Sequence, residues 1–269
     1  MSEQAAPKKR SRKLYVLWGV ALTLLLATGA FCWLVVVPIL EARSAVQHFK
    51  CAARCSSMRR HYNYEPSEIH KHVTELGGRR KALAKLAGYV WLPDWMEPER
   101  TQAVLLMGGC GPEAVPVLLE LSYQFPIQDE VAYALRDIGQ PAVTPLAEAL
   151  SSKDATVRFV ALDAVFHLSC RFPYEVSLDE ALEPLLALLR SGCRGDGRRY
   201  ESATFCEPED ARMRKSLSRR RCLMVAAVLG RIGKPAIPGL EKIASSEIDE
   251  ARYAAAEALK MIKAAGEKN

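Results

Sequence analysis

The chain has 269 residues and a formal net charge of +6. Five of its cationic residues, Lys8, Lys9, Arg10, Arg12 and Lys13, lie in residues 1–13, so the remainder is only mildly basic and nucleic-acid binding is not indicated. Eight cysteines are too few for a disulfide-built fold, and the length suits one or two ordinary domains or a stack of helix pairs.

Residues 1–13 read as a basic, disordered tail. From Leu14 to Leu40 there is no charged residue. A helix of that length, at about 1.5 Å per residue, reaches roughly 40 Å and crosses a hydrocarbon core of about 30 Å with some tilt. Tyr15, Trp18 and Trp33 sit toward its ends, where amphipathic rings favour the interface. Pro38 lies near the exit, where a break costs least. A cleaved signal peptide is the rival reading, with Thr28, Gly29 and Ala30 as a small-residue site. The apolar run continues from Phe31 to Leu40, beyond the about 7–15 residues of a signal core, which favours an uncut single-pass anchor. The bulky Phe31 beside Cys32 disfavours a lipoprotein site. The denser basic group precedes the span, so the N-terminus is expected in the cytoplasm and the following domain in the exoplasm or periplasm.

Residues 41–64 read as a juxtamembrane helix, with Ala42, Ala45, Val46, Phe49 and Ala53 forming a modest apolar side. His48, Cys51 and Cys55 share one helix face and His61 lies just beyond. These are zinc-capable types, but their spacing fits no finger pattern, and ordinary helix cysteines explain them more simply. No cofactor is expected.

Residues 65–269 read as a repeat domain. Glu65-Pro66 returns as Glu97-Pro98, and the same shift of 32 pairs Gly77 with Gly109, Ala82 with Ala114 and Leu86 with Leu118. Each copy reads as helix, glycine corner, helix. Trp91 and Trp95, between the copies, either form an exposed recognition patch or plug the gap between helix pairs; the plug is the commoner use. Met107 to Pro112 is glycine-rich, but no Gly-Lys-Ser/Thr ends it, so it reads as a helix corner and not a phosphate loop. His167, on a largely apolar helix, reads as a core or boundary histidine.

The strongest repetition joins Leu135–Leu168 to Leu229–Ile262. A shift of 94 aligns Leu135 with Leu229, Gly139 with Gly233, Pro141 with Pro235, Leu146 with Leu240, Arg158 with Arg252, Ala161 with Ala255 and Ala164 with Ala258. Gly139 suits the left-handed position that ends a helix, and Pro141 suits the first turn of the next. One helix pair cannot bury both of its apolar stripes, so successive pairs must stack. The pattern Ile-Gly-x-Pro-Ala, then a turn, then Arg-x-x-Ala-x-x-Ala resembles HEAT repeats, closest to the short HEAT-like repeats of phycobilisome-lyase type. The resemblance implies an all-α, armadillo-type α-solenoid that scaffolds or binds proteins. A few enzymes share the repeat, among them bilin lyases and an iron-dependent hydroxylase whose His-Glu dipeptides this chain lacks.

An insertion at about residues 190–215 interrupts the spacing. Gly192, Gly195 and Gly197 mark an irregular loop, the kind that often projects on a binding face. Cys193 and Cys206 flank it, and a bridge between them in an oxidising compartment would contribute about 3 kcal/mol in the chain-entropy model. A helix is expected from Glu207 to Ile232. Its early part carries Arg212, Arg214, Lys215, Arg219, Arg220 and Arg221, either a patch for an acidic partner or anionic lipid or a solvated face offset by nearby Glu residues. The last helix is expected over Ile248–Ile262.

No Ser-His-Asp set, nucleotide loop or paired-carboxylate signature stands out. The expected function is therefore a membrane-anchored scaffold for protein–protein interaction and not an enzyme. The alternatives are a lyase-like or accessory subunit of an enzyme complex, and an electrostatic binder of anionic partners.

Overall fold

A computed structural model of the protein describes residues 12–55, 66–90, 97–123, 127–172, 175–193 and 211–267. All secondary structure among the described residues is helical. The chain forms α1 (Arg12–Phe31), α2 (Val37–Cys55), α3 (Pro66–Glu75), α4 (Arg79–Val90), α5 (Glu97–Gly108), α6 (Val115–Leu121) and α7 (Gln128–Ile138). It continues with α8 (Val143–Leu150), α9 (Ala155–Arg171), α10 (Leu182–Arg190), α11 (Ala211–Ile232), α12 (Ile237–Ala244) and α13 (Asp249–Gly266).

Four corners among the described residues are built alike. At Gly111, Gly139 and Gly233 φ is near +80° and ψ lies at −158°, −145° and −135°. That is not the ordinary left-handed position expected for Gly139; it is a region open essentially to glycine alone. A short 3-10 turn follows, closed by the amide of Ala114, Ala142 or Ala236 donating to the glycine carbonyl at 2.9–3.0 Å. The fourth corner uses Leu178 with φ −112° and the same closing bond from Ala181. All four alanines are fully buried, so each corner is pinned into the core by a methyl group with no room for more.

The corners fold each longer helix back against a shorter one. Helices α5, α7, α9, α11 and α13 pack side by side as one layer, while α8, α10 and α12 line up in a second. Leu135 and Leu229, Leu146 and Leu240, Ala161 and Ala255, and Ala164 and Ala258 are all fully buried, so the shift of 94 pairs equivalent core positions. The matched arginines also play the same part. Arg158 Nη1 donates to the Ser152 carbonyl at 2.7 Å, and Arg252 Nη1 to that of Ser246 at 3.4 Å. Each ties its helix to the preceding turn, whose serine hydroxyl in turn accepts from the amide of Asp154 or Ile248. The copies differ in one cap: Asp154 accepts from the Thr156 and Val157 amides, whereas Ile248 has no side chain that can do so.

The apolar N-terminal segment does not end at Pro38. A π-helical turn over Cys32–Val36 joins α1 to α2, with the Val37 amide reaching back to the Cys32 carbonyl. The wider turn just before Pro38 absorbs the ring and the missing N–H that would otherwise break the helix. Val20, Leu24, Leu25, Phe31, Trp33 and Leu34 are all more than half exposed. Ala42, Ala45 and Val46, one to three turns further on, are buried against α4 and α5. Glu41 accepts from Lys85 of α4. The stretch Val20–Val46 is long and apolar enough to cross a membrane. The helix α13 runs to Gly266, past the expected Ile262, while the expected end of the juxtamembrane helix at residue 64 and the expected start of α11 at Glu207 lie outside the described residues.

Candidate functional site

The corner edge of the stack carries a concave surface among the described residues. A cavity of about 310 Å³ opens there between the ends of α3, α5, α7 and α9. Ile69 and His70 come from α3, Arg79 begins α4, Asp137 and Ile138 end α7, and Arg171 and Phe172 end α9. Glycines make the space. A β-carbon on Gly109 would lie 2.2 Å from Ile69 Cγ2, so α3 seats only because that position is bare. The Arg79 guanidinium lies over Gly111, with Nη1 3.5 Å from where a β-carbon would sit. Phe172 also lines a second hollow of about 140 Å³, bounded by Ser177, Asp179 and Arg231 among others. The two form neighbouring parts of one edge.

That edge is basic for a simple reason. Arg136, Arg171, Arg231 and Lys263 occupy the last turns of α7, α9, α11 and α13, where a cation offsets the exposed carbonyls of the helix end. Asp137 is held by Arg136 at 2.7 Å, and burial pushes its carboxyl above the ordinary range, against the pull of Arg136. Arg231 Nη1 donates to Ser169 Oγ at 2.6 Å and contacts Cys170 Sγ at 3.0 Å. Arg171 lies 5.6 Å from the Phe172 ring centroid. Among the described residues no carboxylate forms an ion pair with Arg79 or Arg171.

The middle of the long-helix layer holds a second polar group. Burial lowers the His167 pKa, and the ring sits 4.7 Å from Tyr133, a boundary histidine as expected. Asp163 is pushed up to about 7, first by burial and then by the Asp129 carboxylate, with Arg220 and Arg221 opposing. The folded state therefore binds this proton more tightly than the unfolded chain does. Stability should rise as pH falls from 8 through 7 toward 5, and be lost on returning upward, by at most on the order of a few kcal/mol. Thermal melts of the wild type and Asp163→Asn between pH 5 and 8 test this; a wild-type melting temperature as flat with pH as that of Asp163→Asn would refute it.

The structure places the expected site residues as follows. Arg219 lies 4.9 Å from the Tyr253 ring centroid, and Arg220 acts on Asp163 across the helix boundary. Both are exposed. Arg221, by contrast, is buried, 3.5 Å from the Phe159 centroid. Arg212, Arg214 and Lys215 lie in the first turns of α11, but their side chains fall outside the described residues, as do those of His48, Cys51 and Cys55 on α2. His61, Trp91, Trp95 and Cys206 also lie outside them. Cys193 is fully buried at φ +51°, beside the buried Cys222. Interaction with the Cys222 thiol, and then burial, raise its pKa well above the usual range. Burial pushes Cys110 up to about 12. At pH 8, Cys170 should take iodoacetamide while Cys110, Cys193 and Cys222 react only after unfolding, as read by peptide mass mapping. Cys193 labelling as fast as Cys170 would mean the turn after α10 is open.

Sequence reasoning missed Arg79, Arg171 and Arg231. Their one local signal was position, since Arg171 and Arg231 fall in last helical turns.

Comparison with known proteins gives a coarse but consistent class. Residues 127–152, spanning α7, its corner and α8, match the PBS lyase HEAT-like repeat family. The stacked helix pairs define an all-α solenoid, and one of its pairs is similar to a HEAT-like repeat. No curated protein matches the sequence. Among solved structures, the crystal structure of an engineered protein is similar at 20% identity and a TM-score of 0.34, covering 74% of this chain. This chain spans about half, 51%, of that protein's length, and a likeness of this size carries no weight here.

Proposed function

We propose that the chain is a membrane-anchored HEAT-type scaffold that presents its stacked helices to a protein partner. The continuous rod of α1 and α2 carries this reading. Its first half leaves Leu24, Leu25, Trp33 and Leu34 exposed among the described residues, and its second half is sunk into the repeats through Ala42 and Val46. Lipid is the cover that suits an exposed apolar rod, and the docked half holds the repeats to the bilayer without a loose tether. Carbonate extraction of native membranes should leave the full-length chain in the pellet, and release into the supernatant would sink the anchor. Crosslinking in intact membranes followed by affinity capture in mild detergent should retain a stoichiometric partner; recovery of the bare chain would sink the scaffold.

The proposed topology keeps the N-terminus in the cytoplasm and the repeats in the exoplasm, on the strength of the denser basic group at residues 8–13. A membrane-impermeant maleimide should then label exposed Cys170 without permeabilisation. In that compartment the proposed Cys193–Cys206 bridge competes with Cys222, which already lies against Cys193. Non-reducing peptide mapping distinguishes the two pairings.

A further inference from the structure

We infer that the groove along the corner edge is an acceptor for an acidic, extended segment of the partner, with Arg79 and Arg171 receiving its carboxylates. The inference rests on the protein-binding reading above and names the chemistry of the partner. The cavity of about 310 Å³ is within the size range of specific binding sites. Its walls mix the two characters such a segment needs. Ile69, Ile138 and Phe172 offer apolar contact, and the guanidiniums of Arg79 and Arg171 offer paired donors in a planar fork.

The charge balance favours an anion. Asp137 is the acidic group in the wall, and Arg136 already holds it at 2.7 Å. Arg171 also acts on Asp137, but two guanidiniums and one carboxylate line the space, so the wall keeps a net positive charge. His70 also lines the space. The Arg79 guanidinium lies over Gly111 at the corner, and Arg171 lies 5.6 Å from the Phe172 ring centroid. Neither forms an ion pair with a carboxylate among the described residues, so both guanidiniums are open to an acidic chain. The adjoining hollow beyond Phe172 is lined by both Arg231 and Asp179, so the anion acceptor is the Arg79–Arg171 groove itself. Arg219 and Arg220 of α11 line neither hollow, so they serve as the control pair.

The test uses full-length protein in nanodiscs of zwitterionic lipid and a fluorescein-labelled hexapeptide alternating Glu and Leu. Fluorescence anisotropy should show binding about tenfold tighter than for the same peptide with Gln in place of Glu, weakening as salt rises. Arg79→Gln should weaken binding about fivefold and the Arg79→Gln/Arg171→Gln pair by about tenfold or more, as expected for exposed ion pairs. Both side chains are exposed, so unchanged circular dichroism should accompany the loss. The Arg219→Gln/Arg220→Gln pair should bind as the wild type does. Equal binding of the Gln peptide, or loss in the α11 pair but not in the groove pair, overturns the inference. Tighter binding of a single-stranded oligonucleotide than of the peptide overturns it in favour of nucleic acid. A chain that captures its partner from membranes yet ignores the peptide overturns the groove and leaves the scaffold standing.

Discussion

Leu135→Ala is expected to destabilise the protein by about 2–5 kcal/mol, the cost of a cavity at a fully buried leucine. Leu135 sits on α7, between α5 and α9, so the void opens at a layer contact with neighbours on both sides. Its match, Leu229, is equally buried on α11. Leu229→Ala should fall in the same range, but its effect should concentrate toward the end of the stack, where α13 is the last described helix. Stability in stacked repeats is nearly a sum of neighbour terms, so damage near an end frees fewer interfaces. Urea unfolding of the full chain in mild detergent gives the first number, and hydrogen exchange by segment gives the second. A loss below about 1 kcal/mol for Leu135→Ala would mean that α7 is not held by packing on both sides.

Gly108→Ala is expected to cost about 1–3 kcal/mol or more, because there is nowhere for the methyl group to go. The added carbon would lie 2.8 Å from the Ala134 carbonyl oxygen and 3.1 Å from the Ala134 Cα. Those are backbone atoms of α7, so relief requires α5 and α7 to move apart. Gly139→Ala is the informative companion. No atom lies within 4 Å of a β-carbon built there, yet φ is +78° and ψ −145°. Its cost, on the order of 1–3 kcal/mol, is backbone strain alone. The two variants separate by hydrogen exchange. Gly108→Ala should loosen the α5–α7 contact, and Gly139→Ala should loosen the corner between α7 and α8. Thermal melts unchanged for both would remove the close approach and the special corner together.

These costs explain which features could be read without coordinates. The corner is a local device. Glycine followed by proline two residues on marks a sharp corner between helices, so Gly139-Gln140-Pro141 and Gly233-Lys234-Pro235 announce themselves in the chain, while the conformation of Gly139 and the buried methyl of Ala142 came only with the structure. The helical stripes are local in the same way, as is the uncharged run from Leu14. The fate of Pro38 was not legible, because the π turn that accommodates it leaves no residue pattern of its own. Nor was the corner after α9, where Leu178 adopts the shared turn without glycine. Arg219 and Arg220 stood out in the sequence as a charge run, yet stacking gave them Tyr253 and Asp163 as neighbours. The groove was invisible for the opposite reason. Arg79 and Arg171 belong to helices far apart in sequence, and nothing near either one hints at the other.

Amino-acid order alone therefore determined the units: amphipathic helices, glycine–proline corners, a repeat that returns after 94 residues, and an apolar rod at the N-terminus. These follow from φ/ψ preference and from 3.6-residue periodicity, which act over a few neighbouring residues. Only the tertiary structure decided that α2 is buried into the repeats, that Cys193 lies against Cys222, and that Arg79 and Arg171 line one cavity. Each of those depends on which surfaces meet when the pairs stack, a choice made by packing between distant segments and not by any one of them.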